Sequence, residues 1–158
     1  MSGSDLRWVE PNSYDWFHDV SIGPEDFDEL DHIGNAAVAR MLDDARTAWF
    51  RSLEGREPGR AVVVRHVSIS YEREGRRGVH PRCGVRAVSR TRRSLLVTQT
   101  LFDPTDKSVL ARGEAVHVCF EAASRTVVAV WPALLAGIER RQGAPLPLLE
   151  RTAAAGDS

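Results

Sequence analysis

"NAAVARMLDDARTAWFRSL", residues 35–53, is the stretch from which the fold can be read. Val38, Met41, Leu42, Ala45, Trp49 and Phe50 recur at the three-and-four spacing of a single apolar helical face. Gly55 and the "GREPG" run end the helix. The spacing therefore predicts one long helix with one buried side.

On either side of this helix the pattern changes to strands. Upstream, "WFHDVSI" (16–22) reads as a short first strand. Downstream, "AVVVRHVSISY" (61–71) alternates, with Val63, Val67, Ile69 and Tyr71 on one side and Arg65 awkwardly among them. "CGVRAVSRT" (83–91) and "SLLVTQTLF" (94–102) form an antiparallel pair across a short arginine turn. In "SVLARGEAVHVCF" (108–120), Gly113 predicts a bulge or bend. "RTVVAVW" (125–131) adds a short piece, and "PALLAGIERRQ" (132–142) a closing helix with Pro132 in its first turn.

One mainly apolar helix followed by a run of strands implies an α+β arrangement, an antiparallel sheet of about five to six strands wrapped around that helix. Such a sheet has open edges, which pairing with a second copy would cover; a homodimer at least, or a homotetramer, is expected.

The chain of 158 residues is long enough for one domain with a real core. We expect an N-terminal arm at 1–14, whose aromatic residues could dock on a neighbour together with Trp16, a domain at 15–143, and a flexible tail at 144–158. A net charge of −1 gives no general attraction to nucleic acid. Lys107 is the only lysine, so arginine clusters carry less meaning than usual. Cys83 and Cys119 have no metal-like spacing and are expected to be free thiols. No secretory h-region and no run near ~20 apolar residues occurs, so the expectation is a cytoplasmic protein with no membrane partner.

The segment before the helix, "DFDELDHIGN" (26–35), packs acids around one histidine. Together with the helix it reads "DFDELDHIGNAAVARMLDDAR". This resembles the signature of hotdog-fold thioesterases of the 4-hydroxybenzoyl-CoA and acyl-ACP thioesterase kind, with Asp26, Asp28, His32, Ile33, Asn35, Asp44, Ala45 and Arg46 in register. "ISYEREGRRG" and "LARGEAVHVCF" extend the likeness over roughly residues 17–131. Asp31 stands where the pattern has glycine, Gly34 where it has the first asparagine, Val38 where tyrosine is common, and Leu30 where the acyl-ACP enzymes have asparagine. Gly34, three positions on, is expected to preserve the tight turn.

The resemblance implies a hotdog fold and hydrolysis of an acyl-CoA or acyl-carrier-protein thioester, with no metal or other cofactor. It implies Asp28 as general base or nucleophile, the backbone N–H near Asn35 as oxyanion site, and His32 and Glu74 as further catalytic residues. A helix N-terminus suits that task because its unpaired N–H groups carry a partial positive charge.

Plainer roles compete: Asp28 as a turn acid, His32 as a structural hydrogen-bonding residue, Asn35 as a side-chain cap, Glu74 as a solvated charge. Asp43 and Asp44 with Arg40 and Arg46 read as helix-surface pairs. Arg73, Arg76, Arg77, Arg82, Arg86, Arg90, Arg92 and Arg93 suit either the phosphates of coenzyme A or an acidic carrier, or form a solvated surface. Two other functions stay open: hydration, dehydration or cyclisation of a carrier-bound acyl chain, and non-catalytic binding of an acyl thioester. Fatty-acid or polyketide metabolism is the expected setting.

Overall fold

The apolar stripe is the buried face of helix α1, Asn35–Ser52, in a computed structural model that describes residues 7–149. Val38, Met41, Leu42, Ala45 and Trp49 are buried, and Phe50 is partly so. Burying each of the larger side chains contributes roughly 1.5–3 kcal/mol, so this face anchors the helix. α1 ends at Leu53 in extended backbone. Gly55 follows at φ 91°, beside the start of the closing helix α2, Pro132–Gln142. Both helices match the predicted segments.

The strands are β1 (Phe17–Asp19), β2 (Arg60–Tyr71), β3 (Arg82–Arg90), β4 (Ser94–Phe102), β5 (Val109–Glu121) and β6 (Thr126–Val128). They form one antiparallel sheet in the order β1-β3-β4-β5-β2, with β6 also on β5. β6 takes up β5 at Cys119, where β4 stops at Val118. α1 lies across this sheet: Leu42 sits under Gly113 of β5, and Arg46 reaches Gln99 of β4.

Two details of register differ from the sequence reading. Arg65 is an extra residue in β2, because Val64 pairs with His117 while His66 pairs with Val116. The bulge shifts the alternation, so Val62 and Val64, not Val63, share a face with Val67, Ile69 and Tyr71. Gly113 is no bulge; it pairs in register with Ile69 and Gln99 and leaves room for Leu42. The irregularity in β5 falls instead opposite Leu101 and Phe102.

Tyr14, expected on an arm, is buried on its own sheet with its hydroxyl 2.6 Å from Thr100 Oγ1. Of the segment expected as a tail, residues 146–149 run along β3: Arg90 N–H donates to the Pro147 carbonyl and Leu149 N–H to that of Arg90. Residues 150–158 lie outside the described part. β2 is an edge strand paired on one side, and Val63, Val64, Val67 and Tyr71 are exposed along it.

Candidate active site

The loop entering α1 is organised by its acids, each in a different way. Asp26 is buried, and its Oδ2 accepts the Gly23 N–H (2.8 Å) and an Arg40 N–H (3.0 Å). It ties the loop to the helix. Asp28 is exposed, and its Oδ1 accepts the N–H groups of Leu30 (2.9 Å) and His32 (3.0 Å). These two donors hold the Asp28 carboxyl below its ordinary pKa, so it is ionised at neutral pH. The plainer reading of Asp28 as a turn acid is thus structurally satisfied, and its second oxygen stays available.

The departures from the family pattern acquire physical reasons here. Asp31 closes the turn through its N–H to the Asp28 carbonyl (3.0 Å) and sits at φ 59°. That is the left-handed region which glycine occupies most easily and aspartate tolerates. The Asp31 carboxylate accepts from Nε (3.0 Å) and Nη2 (2.9 Å) of Arg77, whose guanidinium stacks 4.6 Å over the Phe27 ring. Gly34 does not take over the turn as expected: its φ is −67°, and it occupies the cap position of α1.

Asn35 is accordingly the first residue of the helix, and the side-chain cap expected of it is not made. The first intrahelical bond runs from Val38 N–H to the Gly34 carbonyl (3.0 Å). Helix geometry leaves the N–H groups of Asn35, Ala36 and Ala37 without an intrahelical acceptor.

The loop after β2 closes on this turn. Ile33 N–H donates to the Gly75 carbonyl (2.8 Å), and a side chain at Gly75 would begin 2.6 Å from Ile33 Cδ1. Glycine allows that approach without displacing the Ile33 side chain. The contact carries Glu74 to His32, with Oε2 and Nε2 3.2 Å apart. Asp28, His32, Asn35 and Glu74 thereby line one groove of about 400 Å³, with Ile33, Val38, Tyr71 and Leu110 as apolar wall.

Tyr71 was not singled out for this site; its place at the strand end beside Glu74 is the signal that could have found it. The eight-arginine stretch divides. Arg73, Arg76 and Arg77 line a neighbouring cavity of about 620 Å³ with His80, and this cavity shares Arg73, Glu74, Gly75 and Leu110 with the groove. Arg82 pairs with Asp19 (2.8 Å), and the remaining four do not line the cavity. Arg46, read as a surface residue, is buried and donates to Gln99 Oε1 (2.7 Å). Its position four residues after Leu42 on the apolar stripe was the available signal. Among the described residues no group of three or more His, Cys, Asp or Glu side chains is placed to hold a metal ion.

A long helix under an antiparallel sheet, with a groove at the helix start, defines a hotdog protein. The family model of the thioesterase-like superfamily matches residues 22–147, and the chain belongs to that superfamily. Among solved structures it resembles a thioesterase from Thermus thermophilus crystallised with coenzyme A and zinc. The TM-score is 0.73 at 24% identity, over 84% of this chain and 98% of that one. A Staphylococcus aureus protein crystallised with coenzyme A gives 0.73 at 13% identity, over 90% and 94%. A 1,4-dihydroxy-2-naphthoyl-CoA thioesterase from Synechocystis gives 0.66 at 15%, over 77% and 93%. At such identities the likeness is one of fold. No match was found among curated proteins.

Proposed function

We propose that this protein hydrolyses an acyl thioester of coenzyme A or of an acyl carrier protein in the groove at the start of α1. The observation that carries the reading is the convergence of the Asp28 carboxylate, the His32–Glu74 pair and the free N-terminal amides of α1 on that groove. Amides aimed at a developing oxyanion typically contribute about 10²–10³ in rate each.

In the first reading the Asp28 carboxylate, with one oxygen outside the turn bonds, serves as nucleophile. In this reading the carboxylate attacks the thioester carbon, and the oxyanion rests on the amides near Asn35. The thiolate leaves and takes a proton from water, and a second water cleaves the mixed anhydride, restoring Asp28. Arg73 and Arg76 in the cavity beside the groove suit the phosphates of the carrier, although Glu74, Asp103 and Asp106 share its wall. The exposed apolar β2 edge supports a homodimer, which sedimentation of the wild type and of a Val67→Lys variant would test.

A second reading rests on the 3.2 Å His32–Glu74 contact: this pair activates water, while Asp28 only holds the turn. Thiol release from short, long and aromatic acyl-CoA and acyl-carrier substrates tests the activity itself, and no release across the panel refutes it. A single turnover in ¹⁸O-water tests the first mechanism, because label found in the Asp28 carboxylate identifies that group as a nucleophile whose anhydride water opens at the Asp28 carbon.

A further inference from the structure

The turn that carries Asp28 and His32 meets the loop after β2 through one short backbone bridge. His32 pairs with Arg76, with Ile33 N–H donating to the Gly75 carbonyl (2.8 Å) and Arg77 N–H to that of Asp31 (3.2 Å). Two bonds make a weak ladder, since even a complete isolated hairpin is only marginally stable. The stem of the loop is tied to the sheet, where the N–H groups of Glu72 (2.9 Å) and Arg73 (3.2 Å) donate to the Leu110 carbonyl. Those bonds fix the stem; the bridge sets the distance between loop and turn.

At the Asp31 end the bridge is doubled by side chains. Asp31 Oδ1 accepts from both Nε (3.0 Å) and Nη2 (2.9 Å) of Arg77. The same guanidinium lies 4.6 Å over the ring of Phe27, and Phe27 in turn bridges to Ile33. Arg77 thus grips the turn at two points, one through charge and one through a cation–π contact. Phe27 is half-buried, so the guanidinium rests on a ring that is itself held in place.

The backbone at Asp31 is an independent sign that this side chain has a task. Its φ of 59° lies in the left-handed region, where glycine is the least strained residue. Aspartate is tolerated there, and its N–H closes the turn on the Asp28 carbonyl (3.0 Å) as the N–H of glycine would. Glycine cannot supply the carboxylate, and here the carboxylate goes to Arg77.

Every side chain invoked for the thioester chemistry sits on one of these two segments. Asp28 and His32 are on the turn and Glu74 is on the loop, with the 3.2 Å His32–Glu74 contact spanning the join. We propose that Asp31 and Arg77 are positioning residues: their pair latches the Glu74 loop to the Asp28–His32 turn, and its loss slows the chemical step without weakening carrier binding. The latch needs no substrate; its effect on rate rests on the thioester reading.

The test joins amide exchange to steady-state kinetics in the full-length protein carrying Asp31→Gly, Arg77→Met or both. Glycine keeps the left-handed backbone, and methionine keeps a linear stem over Phe27 without the fork. Exposed pairs add little to global stability, so each single variant should melt within about 3 °C of the wild type. The Ile33 amide should exchange about three- to tenfold faster, through easier local opening. The kcat for thiol release should fall by about the same factor, with KM within about twofold of the wild type. The double variant should lose no more than the worse single one, because both substitutions break one pair.

Unchanged Ile33 exchange in both single variants overturns the proposal. So do kcat losses that multiply in the double variant. A raised KM at unaltered kcat also overturns it, and would make Arg77 a contact for the carrier phosphates instead. Faster exchange in the variants, with no thiol release by the wild type from any substrate, would remove the thioester reading and leave the latch standing.

Discussion

Asp28 is joined twice to the backbone of His32: Asp28 N–H donates to the His32 carbonyl (2.8 Å), and His32 N–H donates to Asp28 Oδ1 (3.0 Å). One carboxylate oxygen builds the turn, and the other makes no hydrogen bond among the described residues. Asparagine at this position retains an acceptor for the turn but removes the negative charge. Asp28→Asn should therefore melt near the wild type while thiol release falls on the order of 10²–10⁴-fold. Asp28→Ala, which loses the turn bonds too, should melt lower than Asp28→Asn. An Asp28→Asn enzyme with full turnover would remove Asp28 from the mechanism.

Glu74 meets His32 at 3.2 Å on a loop whose own backbone is held by Ile33 and Gly75. The loop's position does not depend on the Glu74 carboxylate, which is largely solvated. Exposed ion pairs contribute under about 1 kcal/mol, so Glu74→Gln should leave the melting temperature nearly unchanged. If His32 and Glu74 jointly orient water, kcat should drop about tenfold or more with little change in KM. Unaltered kcat would mark Glu74 as a solvated turn charge.

The long helix, the succession of strands along the chain and the closing helix were legible because each rests on local periodicity, and Val38 to Trp49 show it most clearly. The phase of β2 was not. Arg65 is unexceptional in sequence, and only the pairing of Val64 with His117 and of His66 with Val116 reveals it as a bulge. The same limit applies to the site. The motif pointed to Asp28, His32, Asn35 and Glu74, and they do line one groove, yet it could not say which acid is structural. Asp26 and Asp28 look alike until Arg40 is seen to reach Asp26. Gly34 misled for a related reason: the left-handed residue is Asp31, and backbone sign is not written in composition.

Gly137 lies inside α2, where alanine would ordinarily favour the helix by about 1 kcal/mol. Here a methyl group would overlap the Glu54 carbonyl oxygen at the end of α1. The backbones of two elements cannot give way cheaply, and overpacking of this kind costs about 1–3 kcal/mol. Gly137→Ala should therefore lower the unfolding free energy despite its better helix propensity. Denaturant melts would show a lower midpoint; a raised one would mean that α2 can slide away from Glu54.

His117 couples the core to pH. Burial, with Arg46 nearby, depresses its pKa from 6.5 to about 4. Between those values the unfolded chain binds a proton that the folded chain refuses, so stability rises with pH. The contribution is complete above 6.5 and declines as pH falls toward 4, by ~3 kcal/mol at 1.36 kcal/mol per unit. His117→Leu removes the titrating group and should flatten urea-derived stability between pH 6.5 and 4 relative to the wild type. Parallel pH profiles for the two proteins would show that the folded imidazole takes up its proton as readily as the unfolded one, with Arg46 too well screened to keep it neutral.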